Sequence, residues 1–181
     1  MNLKEVKVNK QTKFITTVAV LMALTVVFQL LSKFVILGQF DNFITGSLVN
    51  MCLIISVSMV GVLGGALVGI ITPFIALFTG SPVPLLFIPL ISICNFSLIL
   101  SFSLLRKIKI INIIVPAIIK TALLYLSINI MLSVLKLAPQ KSKMLLYLFG
   151  WPQLVTALIG GIIAAIIMSR LKNQFSGLKD E

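Results

Sequence analysis

Long apolar runs separated by short polar breaks organise this chain. The runs cover residues 13–37, 43–60, 62–78, 85–105, 110–135 and 144–171. A helix crossing a bilayer needs about 20 mostly apolar residues, so each run has roughly the length of one span. Backbone groups in lipid must bond internally, and the runs lack the alternation and turn spacing of a membrane β-barrel. The pattern therefore predicts an all-α integral membrane protein, a bundle of six transmembrane helices forming a single domain over residues 1–181. The breaks are Gly38 to Asn42, then Thr79-Gly80-Ser81-Pro82-Val83-Pro84, then Arg106, Lys107 and Lys109, then Lys136 to Lys143. Proline and glycine end helices at the second of these. Between spans two and three, Gly61 and the pair Gly64-Gly65 predict a tight turn, with one bent hairpin unit as the alternative.

Composition agrees with the pattern. The 181 residues are 59% hydrophobic and 10% charged, where a soluble domain is about 45–50% apolar and about 25% charged. Mean hydropathy is +1.17. A soluble enzyme, a disordered chain and a coiled coil are excluded, because one core of this size could not hide so much apolar surface. The basic lead-in Lys4, Lys7, Lys10 and Lys13 imitates a signal peptide. The apolar run behind it is too long for a leader's core and no small-residue cleavage site follows, so it is read as an uncleaved first span. Cys52 and Cys94 lie inside apolar runs with no paired spacing and read as small buried hydrophobes.

Charge adds orientation. Fifteen basic and four acidic residues give +11, which in isolation would suggest nucleic acid. Placed on six spans, ten of the basic residues (Lys4, Lys7, Lys10, Lys13, Arg106, Lys107, Lys109, Arg170, Lys172 and Lys179) share one side. Lys33, Lys136, Lys141 and Lys143 lie on the other. The positive-inside rule then puts both termini in the cytoplasm, and the excess becomes a topology signal with attraction to anionic lipid. No nucleic-acid partner is expected.

Catalysis is opposed by the inventory. There is no histidine, and the four acids are Glu5, Asp41, Asp180 and Glu181, three of them terminal. No acid–base pair, metal site or cofactor is called for. The glycines from Gly61 to Gly69 lack the Lys-Ser/Thr of a phosphate loop, so ATP hydrolysis by that route is excluded, and any pumping must draw its energy from a partner or from an ion gradient.

Lys120 is the exception within a span. It stands roughly 15 Å along span five, near the midplane, where a lysine costs about 2.5–3.5 kcal/mol. It must face protein or a watery cavity, as a structural donor or as a contact for an anionic or strongly polar ligand. Asn95, Gln153, Asn50, Tyr125 and Asn129 are other polar residues within the apolar runs, and Trp151 adjoins Gln153. Lys120, Asn95, Gln153, Trp151, Asn50 and Tyr125 are the candidate substrate contacts, with charge from the lysine, hydrogen bonds from the amides and stacking from the rings. Helical geometry sets Tyr125 about 140° and Asn129 about 180° from Lys120. Asn129 is thus expected to bond a neighbouring helix, the commoner role of a polar residue in lipid. Four-residue spacing of small residues (Ala19 and Ala23; Gly65 and Gly69; Ala157, Gly161 and Ala165) predicts close helix packing.

With these residues in hand, the chain resembles the substrate-binding S components of energy-coupling factor (ECF) vitamin transporters. The likeness covers nearly the whole chain in size, span number, basic ends and missing ATPase motif. Its most specific local element is Ala19-Val20-Leu21-Met22-Ala23, with the run from Gly65 to Pro73 similar in style. The resemblance implies a non-catalytic, multi-pass subunit of the cell membrane that binds a vitamin or related micronutrient near the outer face. It implies partners, namely one transmembrane coupling subunit and two ATPase subunits, with Ala19 and Ala23 on the docking face. It also implies lids, for which Gly38 to Asn42 and Lys136 to Lys143 are the candidates. The competing expectations are a stand-alone secondary transporter or channel for a small polar solute, and a membrane assembly protein without a ligand. The missing intramembrane carboxylates and internal repeat weigh against a stand-alone transporter.

Overall fold

A computed structural model describes residues 10–34, 41–80, 83–108, 110–135 and 138–177. The described residues form α1 (Lys10–Phe34), α2 (Asp41–Phe78), a 3-10 turn (Leu85–Phe87), α3 (Ile88–Leu104), α4 (Ile111–Leu135), α5 (Pro139–Leu148) and α6 (Trp151–Gly177), and no strand. Five stretches are long and apolar enough to cross a membrane: 11–30, 41–78, 85–104, 111–135 and 139–171. Large apolar side chains such as Ile15, Leu63, Phe78, Ile93, Leu104, Ile130, Val134 and Ile166 are exposed. A protein facing water would bury such a surface, whereas lipid solvates it.

Runs two and three of the sequence are one element, α2, of 38 residues. A straight helix of that length would reach about 57 Å, nearly twice the hydrocarbon core. It does not run straight. Gly61 has φ 82° and ψ −175°, a conformation essentially confined to glycine. Beyond it the chain turns back. A Cβ on Gly65 would lie 3.3 Å from Val57 Cα, and one on Gly69 would lie 3.6 Å from a Leu53 methyl. In a continuous helix those pairs would be about 12 and 24 Å apart. α2 is therefore a helical hairpin with arms 41–60 and 62–78. The first arm ends with free carbonyls, as any helix does, and Arg106 Nη2 donates to Ser58 O over 3.1 Å, a basic C-terminal cap.

The hairpin is the centre of the bundle. It packs against α1, α3 and α6, and α4 bridges α3 and α6. Small residues allow the closest approaches. A Cβ on Gly69 would stand 2.7 Å from Ile99 Cδ1, and one on Gly160 only 2.5 Å from Ser47 O. The α6 stripe differs in detail from the expected one. Ala157, Gly160, Gly161 and Ala164 are buried, while Ala165 is exposed, because the packed face of α6 follows a mixed three- and four-residue step. One apolar core joins α1, α2, α3, α4 and α6, including Leu53, Val68, Leu98, Ile99 and Ala117. A second joins Phe87, Cys94, Leu124, Ile128, Leu145 and Phe149. Both cysteines are free and buried.

The last expected span needs correction. Met144 belongs to the separate helix α5, and the final long helix starts at Trp151. Residues 138–143, expected as loop, carry the start of α5, while 136–137 lie outside the described residues. The break from α6 falls at Phe149 and Gly150, and the early start of α5 follows from Pro139. Proline interrupts a helix interior but suits the first helical position, where its missing N–H costs nothing. Leu145 then anchors α5 in the second core. Span four also opens with the 3-10 turn before α3 begins, and residues 35–37 of span one lie outside the described residues.

Candidate functional site

The bundle holds a cavity of about 310 Å³, at the small end of the range for ligand pockets. Asp41, Asn42, Thr79, Gly80, Val83 and Phe149 line it at or just beyond helix ends, whereas Asn50, Asn95, Lys120 and Thr156 line it from within helices. The first group therefore forms the mouth and the second the floor. The mouth lies at the end of the bundle away from Lys10, Lys13, Arg106, Lys107 and Arg170, and on the same end as Lys33, Lys141 and Lys143.

Four helices build the floor. Lys120 of α4 is 3% exposed and Asn50 of the first α2 arm 1% exposed. Lys120 Nζ donates to Asn50 Oδ1 over 2.6 Å. Asn50 Nδ2 donates to Thr156 Oγ1 over 3.3 Å, and Thr156 Oγ1 donates to the Gln153 carbonyl over 3.1 Å. Every bond in this chain points the same way, from lysine toward the α6 backbone. An ammonium has three donors and an amide NH₂ two. After the bonds just given, Lys120 and Asn50 still present N–H groups. This wall is rich in donors, so it suits an acceptor, best an anion. Gly160 sets the geometry, since its missing side chain lets the α6 backbone touch α2 at Ser47, Asn50 and Met51.

Another wall is the second α2 arm around Pro73. A proline has no N–H, so the carbonyl four residues back, Gly69 O, loses its helical donor. Asn95 Nδ2 of α3 supplies one over 3.0 Å. Ser92 Oγ bonds Ile70 O over 3.1 Å and Gln29 Nε2 of α1 bonds Thr72 O over 3.2 Å. Gln153 Nε2 similarly reaches Leu148 O over 3.3 Å, closing the break between α5 and α6.

Of the residues singled out from sequence, Lys120, Asn95, Gln153 and Asn50 meet in this cavity. Trp151 and Tyr125 do not. They line a separate shallow groove with Thr121, Gly150 and Leu154, and both are exposed. Trp151 packs beside Phe43 (centroids 5.5 Å) and Tyr147 (6.0 Å), as aromatic residues do at a membrane interface. Asn129 also departs from expectation. Its Nδ2 donates to Tyr125 O in its own helix over 2.7 Å, so it bonds no neighbouring helix through that group. Ala19 and Ala23 are exposed, on the face of α1 opposite Val18, Leu21, Thr25 and Gln29, which are buried. Of the two lid segments, residues 38–40 and 136–137 lie outside the described residues, and the rest begin α2 and α5.

Sequence reasoning missed Thr156, Gln29 and Thr72 as lining residues and reached Asp41 only within the lid candidate Gly38 to Asn42. Thr156 was open to discovery, three residues after Gln153 and hence on the same helix face.

Comparison with known proteins completes the description. The family of ECF transporter substrate-specific components matches over residues 13–171. No curated protein and no solved structure matches the chain.

Proposed function

This chain belongs to the substrate-specific components of ECF transporters, and we propose from that premise that it captures a vitamin or related micronutrient with an anionic group in the Lys120 cavity. The observation that carries the proposal is a lysine buried in the cavity floor whose hydrogen-bond partner is a neutral amide oxygen. Placing a lysine at this depth costs about 2.5–3.5 kcal/mol. An anion arriving in the cavity supplies the missing counter-charge and turns that cost into affinity. Asn50 and Thr156 orient the ammonium, and Asn95 and Gln153 shape the walls.

Each arm of the α2 hairpin crosses the membrane in this reading, giving six crossings with both termini in the cytoplasm. Two features support it: the reversal at Gly61 and the basic residues gathered at the end away from the cavity mouth. The mouth then opens outward at the cytoplasmic membrane, and a coupling subunit with two ATPases drives release inward. The exposed face carrying Ala19 and Ala23 gives that coupling subunit a smooth surface on which a helix can lie closely.

Two experiments test this. The purified chain, reconstituted alone in lipid nanodiscs, is screened against the water-soluble vitamins by thermal shift and calorimetry. Saturable binding of at least one is expected, and a folded protein that binds none of them overturns the reading. Replacing Ala19 and Ala23 together by leucine is expected to abolish uptake in cells carrying the ATPase module while leaving binding intact. Undiminished uptake removes the docking role.

A further inference from the structure

The cavity contains a second charge, and it lies at the other end. Asp41 and Lys120 are the two charged side chains among the described residues that line it. Asp41 is the first residue of α2, nine residues before Asn50, the partner of Lys120. At ~1.5 Å per residue the backbone positions of Asp41 and Asn50 are roughly 13 Å apart along the helix axis, and both residues line the cavity. The intervening wall is built of Thr45, Gly46 and Val49, none of them ionisable.

We infer that the substrate is bipolar, with a carboxylate-type anion on Lys120 and a cationic nitrogen facing Asp41 at the mouth. This rests on the capture reading above and specifies its substrate class. The argument is one of charge balance. Empty, the cavity carries one positive and one negative side chain. A simple anion would leave it with a net negative charge and Asp41 without an opposite partner. A zwitterion leaves the balance at zero and gives each pole an opposite partner. A ligand with its two charges at opposite ends, such as a para-substituted ring with charged groups about 7 Å apart by ordinary bond lengths, can present one to the floor and the other toward the mouth. Asp41 therefore selects, and Lys120 anchors. Among the described residues the Asp41 carboxylate accepts a long 3.4 Å bond from Thr45 Oγ1.

The test uses the whole chain in nanodiscs with three matched probes: 4-(aminomethyl)benzoate, which carries both charges, 4-methylbenzoate, which carries only the anion, and 4-methylbenzylamine, which carries only the cation. The zwitterion is expected to bind at least tenfold more tightly than either of the others. In Asp41→Asn, which keeps an oxygen acceptor for Thr45, the zwitterion should lose that advantage and fall to the affinity of 4-methylbenzoate. Equal binding of 4-methylbenzoate and the zwitterion to the native chain overturns the inference, as does an Asp41→Asn variant that binds the zwitterion undiminished. If no probe binds while a vitamin does, the two-pole assignment falls and the capture reading stands. If neither probes nor vitamins bind the folded protein, the capture reading falls and takes this inference with it.

Discussion

Two groups of polar side chains line the cavity, and they are polar for different reasons. On the Pro73 wall, the amide of Asn95 replaces the donor that proline removed from Gly69 O, and Ser92 and Gln29 reach neighbouring carbonyls. These side chains complete the backbone of a helix that must lie in lipid. On the Lys120 wall, the bonds run from side chain to side chain, and Lys120 and Asn50 satisfy no broken helix. The difference teaches how to read a buried polar residue in a membrane helix. One that repairs a backbone break belongs to the structure. One that bonds only other side chains, and brings a charge, is the group that the proposed capture reading assigns to the ligand.

Lys120→Met should separate the walls most sharply. Loss of the ammonium is expected to weaken binding of the anionic ligand about a hundredfold, equivalent to about 2.7 kcal/mol, while the melting temperature holds or rises because a buried charge is gone. A large loss of stability with unchanged affinity would make Lys120 structural and erase the contrast. Asn95→Leu should behave in the opposite way. It leaves Gly69 O without a donor and is expected to cost about 1–3 kcal/mol of stability. The diagnostic step is a cycle with Pro73→Ala. Restoring the N–H at position 73 refills Gly69 O, so Asn95→Leu should cost about 1 kcal/mol less in that background. Equal costs in both backgrounds would show that the proline is not what Asn95 answers.

Much of this arrangement is legible from residues alone, and the failures have physical causes. The hairpin follows from Gly61, since a left-handed turn in an apolar run needs glycine. Lys120, Asn50, Asn95 and Gln153 stand out because polar groups in apolar runs need partners. What depth alone does not reveal is azimuth. Trp151 lies two residues from Gln153, about 200° around the helix, and so faces the outer groove. α5 was hidden by Pro139 and two lysines, which read as loop although proline also opens helices. Thr156 could be reached from Gln153, three residues before it on the same helix face, although a threonine within a helix normally bonds its own backbone, as this one also does. Whether an asparagine repairs the helix or waits for a ligand depends on a proline in another segment, which no single run displays.

The finer contrast concerns residues that support Lys120 without carrying charge. Thr156→Val keeps the shape and removes the oxygen that accepts from Asn50 Nδ2. Asn50 would then hold its carbonyl toward Lys120 less firmly, and ligand affinity should fall by about fivefold, near 1 kcal/mol. Stability should change by no more, because the chain ends on the Gln153 carbonyl, which keeps its place in α6. Tyr125→Phe should mark the zero of the scale. Tyr125 lines the outer groove and not the cavity, and Asn129 bonds its backbone carbonyl, which the substitution leaves in place. Calorimetric affinity and melting temperature are both expected to match the native chain. A several-fold loss of affinity in Tyr125→Phe would mean that ligand reaches around Trp151 into the groove, and that the site extends beyond the two walls.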